Sequence, residues 1–456
     1  MISKLQINEN SSIKEALKAI DVNGQQVLFV TNSSGGVIGV VTDGDIRRGL
    51  LLNLTLDDPV IRLSNSDFVW TLEDESRESI LKKLDERVQI IPILGSDRRL
   101  VGVVSRNNLP AVREKNVVIM SRAPVRVSFG GGGSDLSNYF LSNVGAVINV
   151  TISLYAHVTM TLRDDNEIHI ESKDLGETVC IKDVNDLQSY VNSKFGLIIS
   201  VLMVIDPKFG FNLHIYSDFP LGSGLGGSAT VAVAILGCFN ELRRDKWTQY
   251  EVAELAYQAE RHVLGISGGW QDQYASVFGG FNFMEFKNHQ NLVHPLRLPR
   301  KTQLLLEESL VLCDTGILHN SDLIHKDQSK SLKDEDKLSF IGKNVDLTYE
   351  LRDSLLKGRL DSFGEFLNMA WNYKKKFSTK ISNNMIDQIY DFAIQNGATG
   401  GKLLGAGGGG FFLFYVQPLR KIKLVDLLAK HNLKIRNFNF DSNGLESWTV
   451  RNSIDE

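Results

Sequence analysis

Residues 220–230 read Pro220-Leu-Gly222-Ser223-Gly224-Leu225-Gly226-Gly227-Ser228-Ala229-Thr230, and the fold turns on this stretch. Four glycines within six positions leave the backbone unshielded, so successive N–H groups can turn toward an anion. The apolar run 231–238 follows at once and predicts a buried helix. A glycine loop feeding a helix N-terminus presents free N–H groups and the positive end of the macrodipole, and both favour phosphate. The stretch implies a chain that handles a nucleotide.

Gly222, Gly224 and Gly227 also satisfy Gly-x-Gly-x-x-Gly, the dinucleotide fingerprint. That fingerprint needs its first glycine directly after a buried strand and an acidic residue about 20 positions on, closing a second strand. Here Ser217-Asp218-Phe219-Pro220 intervenes and Glu241 falls at the end of the predicted helix. The context excludes a Rossmann unit. No Gly-x-x-x-x-Gly-Lys-Ser/Thr occurs either, which excludes a Walker loop.

Two further glycine runs flank the first in the chain. Ala123-Pro124-Val125-Arg126-Val127 leads into Gly130-Gly131-Gly132-Gly133-Ser134-Asp135, and Lys402-Leu403-Leu404-Gly405-Ala406-Gly407-Gly408-Gly409-Gly410 lies near the C-terminus. Three such motifs in this order resemble the GHMP kinases, whose phosphate loop runs Pro-x-x-x-Gly-Leu-Gly-Ser-Ser-Ala. Gly227 stands where that loop has its first serine. The resemblance implies a two-lobed α+β fold, with a ribosomal S5-like N-lobe over residues 117–299 and a ferredoxin-like C-lobe over 300–456. It implies ATP on Pro220, Gly222, Ser223, Gly224, Leu225, Gly226, Gly227, Ser228 and Ala229, and Mg²⁺ on Ser228 and Glu260. Asp272 becomes the acceptor of the substrate hydroxyl's proton, and Arg126 offsets charge beside it. Ser134, Asp135, Gly407 and Gly408 fall at the acceptor substrate. Read outside the motif, Glu260 is a surface helix residue and Asp272 a helix N-cap.

Three local sequences narrow the resemblance: 122–136, 268–283 (Gly-Gly-Trp-Gln-Asp272-Gln-Tyr onward) and Asp314-Thr-Gly316. They are similar to the D-glycero-D-manno-heptose 7-phosphate kinases, which phosphorylate an anomeric hydroxyl with ATP. A phosphorylated acceptor needs cationic partners, and Arg122, Lys326 and Lys402 are the candidates. A kinase of an unphosphorylated sugar such as fucose or galactose would keep the same motifs. A non-catalytic nucleotide sensor stays open as well, although Ser228, Glu260 and Asp272 are all present.

The first 112 residues repeat a pattern. Strand 26–30, a polar turn, strand 37–41 and Thr42-Asp43-Gly44-Asp45-Ile46 opening a helix return some sixty residues later as strands 89–94 and 100–104 and Ser105-Arg106-Asn107-Asn108. Amphipathic helices at 12–20 and 76–84 precede the two copies. Internal duplication of this kind precedes any other assignment. The pair resembles a tandem CBS module. The resemblance implies a homodimer through that module and an adenine nucleotide held by Thr42 and Asp45; dimerisation without a ligand is the alternative. Asn108 in the second copy lacks the carboxylate.

Composition closes several other classes. At 43% hydrophobic and 23% charged residues the chain reads as an ordinary soluble protein, and its net charge of −4 gives no footprint for nucleic acid or anionic membrane. No apolar stretch approaches the roughly 20 residues of a membrane helix. The N-terminus shows no signal-peptide core, so the expected location is the cytoplasm. Cys180, Cys238 and Cys313 are spaced neither for zinc nor for disulfides and are expected to be buried apolar residues. Beyond residue 116, a polar linker from 113, strands and helices interleave without βαβ regularity, which predicts α+β rather than a doubly wound sheet. Strands are expected at 117–120, 125–129, 146–150, 156–162, 211–217, 278–286, 410–416 and 445–450. Helices are expected at 229–244, 248–264, 339–357, 362–377 and 384–396, with a charged solvated loop at 329–337.

Overall fold

A computed structural model describes residues 2–72, 90–105, 117–288, 290–317 and 334–451, with Glu75, Ile80, Lys83, Val88, Ile324, Asp327 and Gln328. Most of the expected helix 76–84 (only Ile80 and Lys83 are described, both helical), Asn108, the linker 113–116, Lys326 and most of 329–337 lie outside the described residues. The chain divides into two units, Met1–Arg113 and Glu114–Glu456.

The N-terminal unit carries the duplication in its backbone. Gln6–Asn8 runs parallel to Val27–Thr31, which pairs antiparallel with Val37–Thr42. Thr71–Leu72, Ile90–Leu94 and Leu100–Ser105 repeat that arrangement. Even the register shift recurs, at Val30/Thr31 and at Ile93/Leu94. A shared core of Leu5, Val27, Phe29, Val37, Leu94 and Leu100 joins the copies. The first helix, Ile13–Asn23, opens with a Ser12–Glu15 capping box and ends on left-handed Gly24, so its sequence signals match its bounds.

In the second unit an eight-stranded sheet is organised around one long strand, Gly145–Leu162. On one side it pairs with the equally continuous Val117–Gly130. On the other it pairs with Phe211–Ser217 and Phe281–Lys287. The sequence predicts two strands in each long one, because Pro124 and the mixed residues 151–155 interrupt the apolar runs. Register shifts at Pro124/Val125 and Ser128/Gly130 absorb those interruptions without ending the strand. The Gly227–Leu242 helix lies against this sheet, so close that a Cβ on Gly237 would stand 2.4 Å from Ser121 Oγ.

A second, all-antiparallel sheet has the order Ala398–Leu403, Phe411–Val416, Leu310–Asp314, Lys434–Arg436. The helices Phe363–Phe377 and Asn384–Gln395 pack on it. The last strand, Glu446–Arg451, returns to pair with Val117–Gly130, so the chain beyond residue 300 does not all belong to the second sheet. The fold is α+β as expected. Several short elements have no sequence forecast, among them Ile168–Ser172, Glu177–Ile181, Gly196–Ile205 and Pro418–Lys430. Residue 278 ends a helix, Gln271–Phe278, rather than starting a strand. Cys238 and Cys313 are buried, but Cys180 is exposed, because its strand lies at the sheet edge. Among the described residues no helix is long and apolar enough to cross a membrane.

Candidate active site

The 220–230 loop forms one wall of a cavity of about 750 Å³. Gly222, Gly224 and Gly226 all take positive φ, from 70° to 82°, an alternation that makes a nest of N–H groups at the mouth of the Gly227–Leu242 helix. Gly227 departs from the family's serine for a local reason: a Cβ there would lie 2.5 Å from the Phe219 ring. Pro220, Gly222, Ser223, Gly224, Gly226, Gly227 and Ser228 line the cavity. Leu225 and Ala229 do not; they point into the core, and Leu225 contributes only a carbonyl that accepts from Arg126 N at 3.2 Å.

Asp272 sits in the first turn of Gln271–Phe278, not at its cap, which is Trp270. Its Oδ1 accepts from Arg126 Nε at 2.9 Å and Nη2 at 2.7 Å, while Arg126 Nη1 donates to Gly224 O at 2.8 Å. The pair is thereby fastened to the glycine loop. A Cβ on Gly226 would stand 3.1 Å from the Asp272 carboxylate, so that carboxylate and the loop are in contact. Burial works against the charge on Asp272, but the Arg126 guanidinium outweighs it, with Arg261 and Gln271 adding, and holds the carboxyl below the usual range. About a quarter of the side chain stays open to the cavity.

Asp135 is one of two further carboxylates lining the cavity, with Asp174, and it accepts from Gly133 N at 3.0 Å and Gln271 N at 3.2 Å. Burial and then the charge of Asp272 push it above its ordinary value. Two carboxylates with displaced and opposite shifts suit different tasks, one ionised acceptor and one hydrogen-bonding anchor. Gly269 packs so tightly here that a Cβ would fall 1.9 Å from Asp135 Oδ2. Ser134, expected at the substrate, is fully buried; its hydroxyl is spent on Gly131 O at 2.7 Å and on the Ala146 backbone. Gly407 and Gly408 are likewise displaced from the expected role. Gly408 N donates to Ile381 O at 2.9 Å, and the residues of that loop at the cavity are Gly405 and Ala406. Phe411 N donates to Ser223 O at 3.1 Å, so the two glycine loops are joined backbone to backbone.

Glu260 lies in a π-helical turn, Ala259–Val263, that breaks the single helix expected over 248–264. It is fully buried, not a surface residue. Oε2 accepts from Gln273 Nε2 at 2.5 Å, whereas Oε1 has no hydrogen-bond partner. Arg261 Nη1 stands 4.0 Å from that oxygen, and Glu260 is not among the residues lining the cavity, whereas the exposed Ser228 hydroxyl is. Of the two expected metal ligands only Ser228 is open to phosphate-bound magnesium, with Glu260 buried behind the wall.

Sequence reasoning missed Lys374 and Arg261 in the cavity wall. A signal for Lys374 existed: it falls on the buried stripe Leu367, Ala370, Trp371 and Phe377, an unusual place for a lysine. Thr42 and Asp45 of the N-terminal unit form a capping box, with Thr42 Oγ1 donating to Asp45 Oδ2 at 2.7 Å.

Family models match in three places: the GHMP kinases N terminal domain over residues 190–280, the GHMP kinases C terminal over 351–425, and the CBS domain over 1–52. The D-glycero-alpha-D-manno-heptose 7-phosphate kinase of Campylobacter jejuni is 37% identical over 73% of this chain and 99% of its own length. The bifunctional fucokinase/GDP-fucose pyrophosphorylase of Arabidopsis thaliana is 29% identical over 66% of this chain and 30% of its own. Among solved structures, a D-glycero-D-manno-heptose 1-phosphate kinase from Bacteroides thetaiotaomicron shares 32% identity at a TM-score of 0.62, covering 73% of this chain and 99% of that one.

Proposed function

The chain belongs to the GHMP kinase family and is an ATP-dependent kinase acting on a sugar hydroxyl; we propose that this is the anomeric hydroxyl of D-glycero-D-manno-heptose 7-phosphate, converted to the 1,7-bisphosphate. The observation that carries the reading is the Arg126–Asp272 pair, tied to the Gly224 carbonyl and touching Gly226 inside one cavity.

A bound triphosphate would be held by the N–H groups of the loop, beside Gly226 and Asp272. Ser228 would hold Mg²⁺, with Glu260 able to join it only if its buried Oε1 is opened to the cavity; when bound, the ion neutralises charge on the phosphate oxygens. Asp272, kept ionised by Arg126, accepts a hydrogen bond from the acceptor hydroxyl and aims its oxygen at the γ-phosphorus. As the new O–P bond forms and the bond to ADP breaks, Asp272 takes the proton. An anomeric hydroxyl is more acidic than an ordinary alcohol, which suits so weak an acceptor. Asp135 anchors the sugar from the side.

ADP release over a sugar panel tests this. Turnover is expected on heptose 7-phosphate. Turnover only on unphosphorylated hexoses, or on heptose 1-phosphate with its anomeric position already blocked, would overturn it. We further propose that the Met1–Arg113 unit mediates homodimerisation and binds an adenine nucleotide through Thr42 and Asp45, and that the enzyme works in the cytoplasm. The nucleotide regulates only if it binds two states with different affinity.

A further inference from the structure

Beside Arg126 a small chamber adjoins the main cavity, and Arg126, Gly132, Gln271, Lys374 and Gly405 are common to both walls. Lys402 and Ser128 complete its charged and hydroxyl lining. Three cations therefore face one space, and among the described residues no carboxylate lines it. Asp272 already answers the charge of Arg126. Lys374 and Lys402 are 6% and 3% exposed, and neither forms an ion pair among the described residues. Lys374 Nζ donates to Leu403 O at 3.0 Å and Gly405 O at 2.5 Å, so the neutral amine is fully used and only the charged form has a third proton to offer a ligand. Ser128 Oγ is buried with no partner.

Two buried ammonium groups without a counter-ion are costly in a folded chain unless a ligand brings the missing charge. The chamber holds only about 30 Å³, so we propose that the phosphate carried by the acceptor sugar sits at its mouth on the main cavity and directs its oxygens inward, with Lys402 and Lys374 as cationic partners and Ser128 Oγ as a further donor. The proposal rests on the sugar-phosphate reading above and adds the residues that enforce it. Of the three cations the sequence offered for this task, Arg122 is excluded: it pairs with Glu446 at 2.6 Å and stacks over Tyr155 outside the cavity. Lys326 lies outside the described residues, and Lys402 is in place. Burial, followed by repulsion from Arg126, lowers Lys402 to about 7. Burial, then Lys402 and Arg126, lowers Lys374 as well. An arriving phosphate reverses both effects, so the chamber discriminates by charge and accepts a neutral hydroxymethyl group poorly.

The test compares the full chain, Lys402→Met and Lys402→Arg, with D-glycero-D-manno-heptose 7-phosphate and the unphosphorylated heptose as acceptors. Lys402→Met is expected to raise KM for the phosphorylated sugar roughly tenfold or more, the loss of one charge-assisted hydrogen bond. It narrows the preference between the two sugars, and Lys402→Arg restores most of it. An unchanged ratio of the two KM values in Lys402→Met overturns the subsite while leaving the proposed function standing. A wild-type chain that ignores sugar phosphates altogether removes the function itself. Should Lys402→Met not fold, inorganic phosphate serves on the wild type. Inhibition competitive with the sugar phosphate but not with ATP supports the chamber, and no competition at tens of millimolar, roughly the weak-binding limit, overturns it.

Discussion

Restoring serine at Gly227 should destabilise this chain even though relatives of its loop carry that residue. The new Cβ would stand 2.5 Å from Phe219 Cε2 and 3.2 Å from Cδ2. Carbon atoms settle at about 3.5–4.0 Å, so the ring must retreat by about 1 Å. Phe219 is 6% exposed and packed in the main core, with little room to move. Overpacking of this kind costs about 1–3 kcal/mol, and removing a helix glycine returns about 0.5 kcal/mol. The net loss is about 1–2 kcal/mol, read as a lower denaturant midpoint with unchanged slope. The ATP KM should rise as well, because Phe219 lines the cavity. A Gly227→Ser/Phe219→Leu cycle isolates the clash: the double variant should be more stable than the two single losses summed by at least about 1 kcal/mol. A Gly227→Ser protein within about 0.5 kcal/mol of wild type, with no coupling to Phe219, would refute the steric account.

Asp272→Asn should cut kcat by on the order of a hundredfold or more while ATP affinity, measured by calorimetry, changes little. Retained turnover would remove Asp272 as proton acceptor. Gly269→Ala should raise the sugar KM without altering ATP binding, since its Cβ would displace Asp135 Oδ2 from 1.9 Å away; equal effects on both substrates would contradict this. Lys402 governs a pH dependence of stability. Its folded value is about 7 against an ordinary 10.5, so between those values the unfolded chain holds a proton that the folded chain lacks. Stability therefore rises with pH across that window, and the penalty is full below it. Lys402→Met should raise the melting temperature at pH 6 and flatten its pH profile; a lower melting temperature at pH 6 contradicts the assignment. Thr42→Ala should cost the N-terminal unit about 1 kcal/mol by opening its capping box, and should abolish AMP binding to the full chain if Thr42 also holds the nucleotide.

The phosphate loop, the three-motif order and the duplication were all legible because each is local: glycines in series, a strand–turn–strand repeat, an apolar run after a loop. The long strands were harder. Pro124 and residues 151–155 look like ends in one dimension, but the ladder between the two long strands runs across both, with a bulge at Pro124/Val125 opposite Tyr155/Ile152 taking up the misfit. Site residues split along the same line. Asp272, Arg126 and Ser228, expected from motifs, line the cavity, whereas Glu260, Ser134, Gly407 and Gly408 sat in equally good motifs and do not; Ser134 and Gly408 are spent on backbone around them. Lys374 carried no motif, only a charge on an apolar stripe.

The sequence alone determined that a glycine nest would meet a buried helix, because backbone freedom and apolar periodicity act over a few residues. Only the tertiary structure decided which side chains share the cavity. Arg126 and Asp272 are 146 positions apart in the chain, and Lys374 and Lys402 lie on a helix and a strand of the second sheet layer. Their charges, their burial and the void between them exist only once strands from distant segments pair, and no local pattern encodes that proximity.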